Sequence, residues 1–211
     1  MKTIKDGDVR RREILMVARK LFVQKGYDKT SVNDILKVVD IAKGTFYYYF
    51  ASKEEVLESI IIDIVDEGVS KASEILKNRE IPIIKRIMLA ITAQRPDFDG
   101  AMEIQEEMHK VENAKLQDLY LKELLRKLSP LLANAVIEGN EEGVMAVENP
   151  LETMESILLL GYMFFDCNVC GWEMEEFPVK VKAFLRQIEL LCGVEKGRLL
   201  EFMGVFGQLK N

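Results

Sequence analysis

Apolar residues along this chain recur at spacings of three and four, and alternating runs are few, so the pattern predicts helices throughout. The first is predicted over roughly Val9 to Lys25, with Ile14, Leu15, Ala18, Leu21 and Phe22 on one face and Gly26 as its stop. Two short helices follow. One starts at the capping pair Ser31 and Asp34, and the other carries Lys43 to Phe50. Ser52 and Glu55 form a second capping box, in which each is expected to satisfy the other's backbone amide. It opens a long helix from Lys53 to about Lys77 with an apolar stripe of Val56, Leu57, Ile60, Ile61, Ile64 and Val65. That helix would be about 40 Å long, enough to link two domains. Gly68 inside it marks a bend or a close backbone approach.

Beyond Arg79 the pattern predicts a helix over Ile81–Ala93, stopped near Arg95-Pro96, and another over Gly100–Val111. A long one over Asn113–Glu138 is expected to be perturbed at Ser129-Pro130 and closed by Gly139. Asn149-Pro150-Leu151-Glu152 is a helix start, with an Asn cap and Pro at the first position, and its helix should run to about Gly171. A further helix follows Phe177-Pro178 and ends near Gly193, and a last short amphipathic one is predicted over Lys196–Leu209. The expected fold is all-α, a three-helix head (residues 1–52) joined to a carboxy-terminal bundle of about six helices (residues 53–211), with helix 53–77 as the connection.

Charge divides at the same place. Residues 1–50 hold eleven Lys or Arg against six Asp or Glu, a balance of +5, whereas the whole chain is −6 and residues 51–211 therefore carry −11. An acidic protein with a basic first quarter fits one localised phosphate-contacting face better than general polyanion binding.

That quarter contains Lys43-Gly44-Thr45-Phe46-Tyr47-Tyr48-Tyr49-Phe50. A helix cannot bury three adjacent tyrosines on one stripe, so some of their hydroxyls must face something polar. With the capped segment Thr30-Ser31-Val32-Asn33-Asp34 before it, the pair reads as a helix-turn-helix offering Lys, Thr and Tyr to a nucleic acid.

Together with Gly26-Tyr27, Thr30 and Lys53, these residues resemble the amino-terminal DNA-binding domain of the TetR family of bacterial ligand-responsive regulators, over about the first fifty-five residues. Two positions depart from the family pattern: Asp40 stands where the turn usually has glycine, and Ala42 where a serine usually caps the recognition helix. Asp tolerates the left-handed conformation, so the turn is expected to survive, but the cap hydroxyl is gone.

The resemblance implies a repressor that binds a double-stranded operator as a homodimer and leaves it when a small molecule occupies the carboxy-terminal domain. Carried over position by position, Thr30 and Tyr47 contact phosphates, helped by Lys53 and the Lys43-Gly44 backbone, with Ser31 beside them. Thr45 and Tyr48 lie nearest the base edges, Tyr49 meets backbone or sugar, and Phe46 and Phe50 anchor the helix. An effector pocket is expected from Arg95, Phe98, Met102, Gln105, His109, Tyr120, Met163 and Phe164, with Met108 as a further flexible apolar candidate. A dimer seam is expected from Met154, Leu158, Tyr162, Phe165, Val181, Phe184, Leu185, Ile188 and Leu191, and an intramolecular core is an equally open use of the same side chains. A helical adaptor that keeps the fold but has lost specific DNA binding stays open as an alternative, on the strength of Asp40 and Ala42.

An enzyme is not expected. The chain has no Gly-x-Ser-x-Gly, no phosphate-binding glycine loop and a single histidine, and no cofactor is implied. Cys167-Asn168-Val169-Cys170 is a Cys-x-x-Cys without a second pair, so packing cysteines are preferred over redox sensing or a metal site completed by Cys192 and His109. The longest apolar run, Ile157 to Phe165, is about half of a membrane span, and no apolar stretch follows Met1-Lys2-Thr3; a cytoplasmic protein is expected.

Overall fold

The computed structural model describes residues 3–94, 104, 107–108, 110, 114–165, 171–173 and 175–204. Among them the regular structure is helical, with eight α-helices: α1 Thr3–Lys25, α2 Val32–Val39, α3 Lys43–Tyr49, α4 Lys53–Lys77, α5 Ile83–Thr92, α6 Ala114–Glu141, α7 Pro150–Phe165 and α8 Phe177–Leu191. The chain divides into two compact units. The first comprises residues 1–65 and 96–120, the second residues 66–95 and 121–211. Helix α4 leaves the first unit after Val65, and α6 leaves it after Tyr120.

In the first unit the expected apolar stripes are the core. Ile14, Leu15, Ala18, Leu21 and Phe22 of α1 pack with Ile35, Phe46, Phe50 and the α4 residues Val56, Leu57, Ile60, Ile61 and Ile64. Helix α1 starts six residues before the predicted Val9 and stops at Gly26, whose φ of 83° only glycine adopts freely and whose amide donates to Phe22 O at 2.9 Å. The periodicity left one contribution invisible. Ile104, Met108 and Leu116 lie in this same core, with Tyr120 packed against it. Lys110 adds a polar tie, joining Glu107 at 2.7 Å and Asp28 at 2.9 Å.

The second unit is held by a buried arginine. Arg86 of α5 donates through Nε to Ile81 O at 2.9 Å and through Nη1 to Leu76 O at 2.8 Å, at the end of α4. Its Nη2 meets Glu138 of α6 at 2.7 Å. The Arg86 guanidinium in turn holds the Glu138 carboxyl below its ordinary range. An arginine this deep must have every donor matched, and here three elements share it.

Helix α6 runs unbroken through Pro130, which is exposed, so water can satisfy the carbonyl that the proline leaves without an amide. It also continues past Gly139 and turns at Gly143 (φ 70°). The role of Gly139 is clearance, because a Cβ there would stand 2.7 Å from Met145 Sδ. Helix α7 starts at Pro150 as predicted; its expected end near Gly171 falls partly outside the described residues. Of the predicted helix over Lys196–Leu209, residues 196–199 are turn, Leu200–Phe202 are a 3-10 turn, Met203 and Gly204 are α-helical and the remainder lies outside the described residues. Glu189, buried on α8, accepts the Leu199 amide at 2.9 Å and Gly197 takes φ 91°, so the start of the predicted segment is a turn that leads into the 3-10 turn at Leu200–Phe202.

Candidate nucleic-acid interface

The helix-turn-helix is built from local signals. The Ser31 hydroxyl accepts from the Asp34 amide at 3.2 Å and the Asp34 carboxylate accepts from the Ser31 amide at 2.9 Å, a complete capping box that starts α2. The Ser31 hydroxyl also donates to the Asp34 carboxylate at 2.6 Å, and that bond first, then the Ser31 amide, with Lys25 adding to them, holds the Asp34 carboxyl down at about 2. Helix α2 ends at Asp40, which takes the left-handed conformation (φ 58°, ψ 56°), and the Ile41 amide reaches back to Leu36 O at 3.2 Å. Asp40 thus does the work of the turn glycine. Ala42 opens α3 with no side-chain bond to the free amides.

Helix α3 is short and sharply two-sided. Phe46 and Phe50 are buried in the first unit's core, which fixes the helix axis. Ala42, Lys43, Gly44, Tyr47 and Tyr48 face outward, with Tyr48 81% and Tyr47 48% exposed. Lys43 Nζ lies 5.9 Å from the centre of the Tyr47 ring, and Thr45 is half-buried beside them. Tyr49 turns the other way. It packs against the core, its ring edge-on to Tyr48 at 4.9 Å and its hydroxyl ending near Gly7 of α1.

Three expected contact residues are otherwise engaged. Thr30 is 1% exposed, and its hydroxyl is directed at Gly26 O (2.8 Å) and Leu21 O (3.2 Å), closing the end of α1. Lys53 donates to Tyr27 O at 2.8 Å and covers the Tyr27 ring. Ser31, though exposed, is the α2 cap. The Ser52–Glu55 box is shifted by one residue: the Ser52 hydroxyl accepts from the Glu55 amide at 3.1 Å, but the Glu55 carboxylate takes the Ala51 amide at 2.6 Å. Lys29 and Lys37 of the first unit are exposed, and only their charge marked them in the sequence.

Of the expected effector residues, Arg95, Phe98, Met102, Gln105 and His109 lie outside the described residues, as do Cys167 and Cys170. Tyr120 belongs to the first unit; Met163, exposed, and Phe164, stacked on Phe184 at 4.8 Å, belong to the second. The described part of the second unit has a small apolar cavity of about 20 Å³ between α5, α7 and α8, lined by Ile87, Met88, Met154, Ile188 and Cys192 among others. That is room for about one water and no polar group to hold it. Burial there pushes the Cys192 thiol up to about 11, so the residue is an inert apolar filler. Among the described residues no His, Cys, Asp and Glu cluster suits a metal, and no helix is long and apolar enough to cross a membrane.

The expected seam residues divide by face. Met154, Leu158, Val181, Phe184, Leu185 and Ile188 are buried within the chain itself, Tyr162 and Phe165 are half-buried, and only Leu191 is exposed. The opposite faces of α7 and α8 expose Leu159, Leu160 and Met163, and Val179, Leu190 and Leu191.

Residues 14–60 match the family described as bacterial regulatory proteins, tetR family, and residues 99–187 match the tetracyclin repressor-like, C-terminal domain. The chain belongs to the TetR family. Members are helix-turn-helix transcriptional regulators, and this chain is a DNA-binding regulator rather than an enzyme. It is 25% identical over 184 residues to YhgD of Bacillus subtilis, an uncharacterized HTH-type transcriptional regulator, covering 86% of this chain and 93% of that one. It is 26% identical over 136 residues to the HTH-type transcriptional repressor DhaR of a Mycobacterium species, covering 63% and 68%. The crystal structure of RolR in complex with resorcinol superposes with a TM-score of 0.65 at 18% identity, over 94% of this chain and 95% of that one, which supports the fold.

Proposed function

We propose that this regulator is a cytoplasmic homodimeric repressor that releases its double-stranded operator when a small molecule occupies the second unit. The observation that carries the reading is the outward face of α3, where Lys43, Gly44, Tyr47 and Tyr48 stand together while Phe46 and Phe50 fix the helix from behind. Tyr47 and the Lys43-Gly44 segment position the head on phosphates, which carry no sequence information. Thr45 and Tyr48 read base edges. Thr30, Lys53 and Tyr49 act one step back, holding the turn and helix that present the others. Lys37 supplies the charge that the engaged Lys53 does not.

One recognition helix reads too few base pairs for useful specificity, so two heads must be held at the spacing of two half-sites. The exposed apolar faces of α7 and α8 are the surface that a second copy covers. The named repressor DhaR favours repression as the direction of control. The test is an anisotropy titration against the promoter DNA beside the gene, with unrelated DNA as competitor. Tight binding that resists the competitor supports the reading. Binding no tighter than to unrelated DNA would leave a helical adaptor with the same fold.

A further inference from the structure

Gln94 follows the end of α5, and its side chain reaches across to α4. Nε2 donates to Ala90 O at 3.0 Å and to Gly68 O at 3.2 Å. Two carbonyls on one end fix which end is nitrogen, because a flipped amide would set its oxygen against both of them. The other end, Oε1, is buried and has no hydrogen-bond partner among the described residues. Gly68 is what permits the approach: a Cβ there would stand 2.7 Å from Oε1 and 3.2 Å from Gln94 Cα. The glycine in the middle of α4 therefore makes room for one oriented amide whose acceptor is left idle.

A buried acceptor without a donor disfavours the state that contains it. A ligand that brings an O–H or N–H to Oε1 gains an interaction the empty protein lacks, and it shifts the equilibrium towards whichever conformation lets it reach Oε1. We propose that Gln94 Oε1 is a polar anchor of the effector site in the second unit, and that the effector offers it an uncharged hydrogen-bond donor such as a hydroxyl. This rests on the reading that the second unit takes an effector. The amide is neutral, so it offers an ammonium no countercharge, and a carboxylate brings no proton to it.

Matched probes test the anchor on the full chain: phenol against toluene, and 1-naphthol against 1-methylnaphthalene, by calorimetric titration. At least one hydroxyl probe should bind about tenfold or more tighter than its methyl partner, since a site built to hydrogen-bond a group rejects the analogue lacking it. That advantage should vanish in Gln94→Met, checked for folding by circular dichroism. A second readout needs no variant: the side-chain amide resonance of Gln94 in the wild-type protein should move with the hydroxyl probe and stay with its methyl partner. Equal or absent binding of all four probes overturns the proposal. So does an advantage that survives in Gln94→Met, or a crystal structure of the naphthol-soaked protein with only a water on Oε1. Operator binding, and its release by any other compound, would stand untouched by those results; the effector reading itself fails only if no compound changes operator affinity.

Discussion

Lys53 Nζ lies 2.8 Å from the carbonyl oxygen of Tyr27 and 3.9 Å from the centre of the same residue's ring. One side chain at the start of α4 thus caps and covers the turn that links α1 to α2. Tyr27 is buried, edge-on to Phe22 at 5.1 Å, so the turn is bonded into the head's core on one side and to Lys53 on the other. Lys53→Met keeps the aliphatic stem and removes the charge. It should lower stability by about 1–2 kcal/mol in urea titrations, for one charge-assisted hydrogen bond and a partly exposed cation–π contact. The salt dependence of operator binding should keep its slope. A slope reduced by about one would place the ammonium on a phosphate and not on Tyr27.

Restoring the missing cap is a gain-of-function test. Ala42 already has extended backbone (φ −69°, ψ 150°), the conformation a capping residue needs, and no side-chain bond serves the first amides of α3. Ala42→Ser should stabilise the head by roughly 0.5–2 kcal/mol, read as a raised thermal midpoint, with operator affinity unchanged or higher. No shift in either quantity would mean that the hydroxyl fails to find its amide.

What could be read from sequence here was local. Ser31 and Asp34 cap each other across three residues, Asp40 supports a left-handed turn by its own side-chain chemistry, and the spacing of Phe46 and Phe50 tells which side of α3 is buried. What could not be read depends on distant partners. Thr30 reads the same in the sequence whether its hydroxyl meets a phosphate or, as here, the carbonyls at the end of α1. Lys53 finds its acceptor 26 residues away. Periodicity reports that Ile104, Met108 and Leu116 are apolar but not that α1–α4 supply their surroundings. Helices α7 and α8 are apolar on both faces, and nothing in such a pattern says which face turns inward.

Acid should loosen the start of α2 before the rest of the head. The Asp34 carboxyl lies at about 2 in the folded protein against an ordinary 3.8. A folded-state value below the unfolded one means the cap contributes fully above the ordinary value and is lost as pH falls towards about 2. The difference in thermal midpoint between the wild type and Asp34→Ala should therefore be constant near neutrality and shrink between about pH 5 and pH 2. A difference that stays constant down to the lower limit would show that Ser31 is capped without the carboxylate.

The outward faces of α7 and α8 decide whether the regulator works as a dimer. Leu160 and Leu190 are 54% and 65% exposed, far more than a monomer gains from leaving large side chains in water, whereas Phe184 is 4% exposed and belongs to the chain's own core. A charge at Phe184 would therefore unfold the unit and say nothing about assembly. Leu190→Glu and Leu160→Glu leave that core intact and should retain the wild-type circular dichroism spectrum. If the faces meet their counterparts in a second copy, light scattering should report monomers at concentrations where the wild type is dimeric. Operator affinity should then fall far more than the nonspecific, salt-sensitive component, because each head keeps its phosphate contacts and loses only its partner. Variants that remain dimeric would move the interface to another surface. Monomers that still bind the operator with full affinity would remove the second head from recognition, and with it the argument that one α3 is too little.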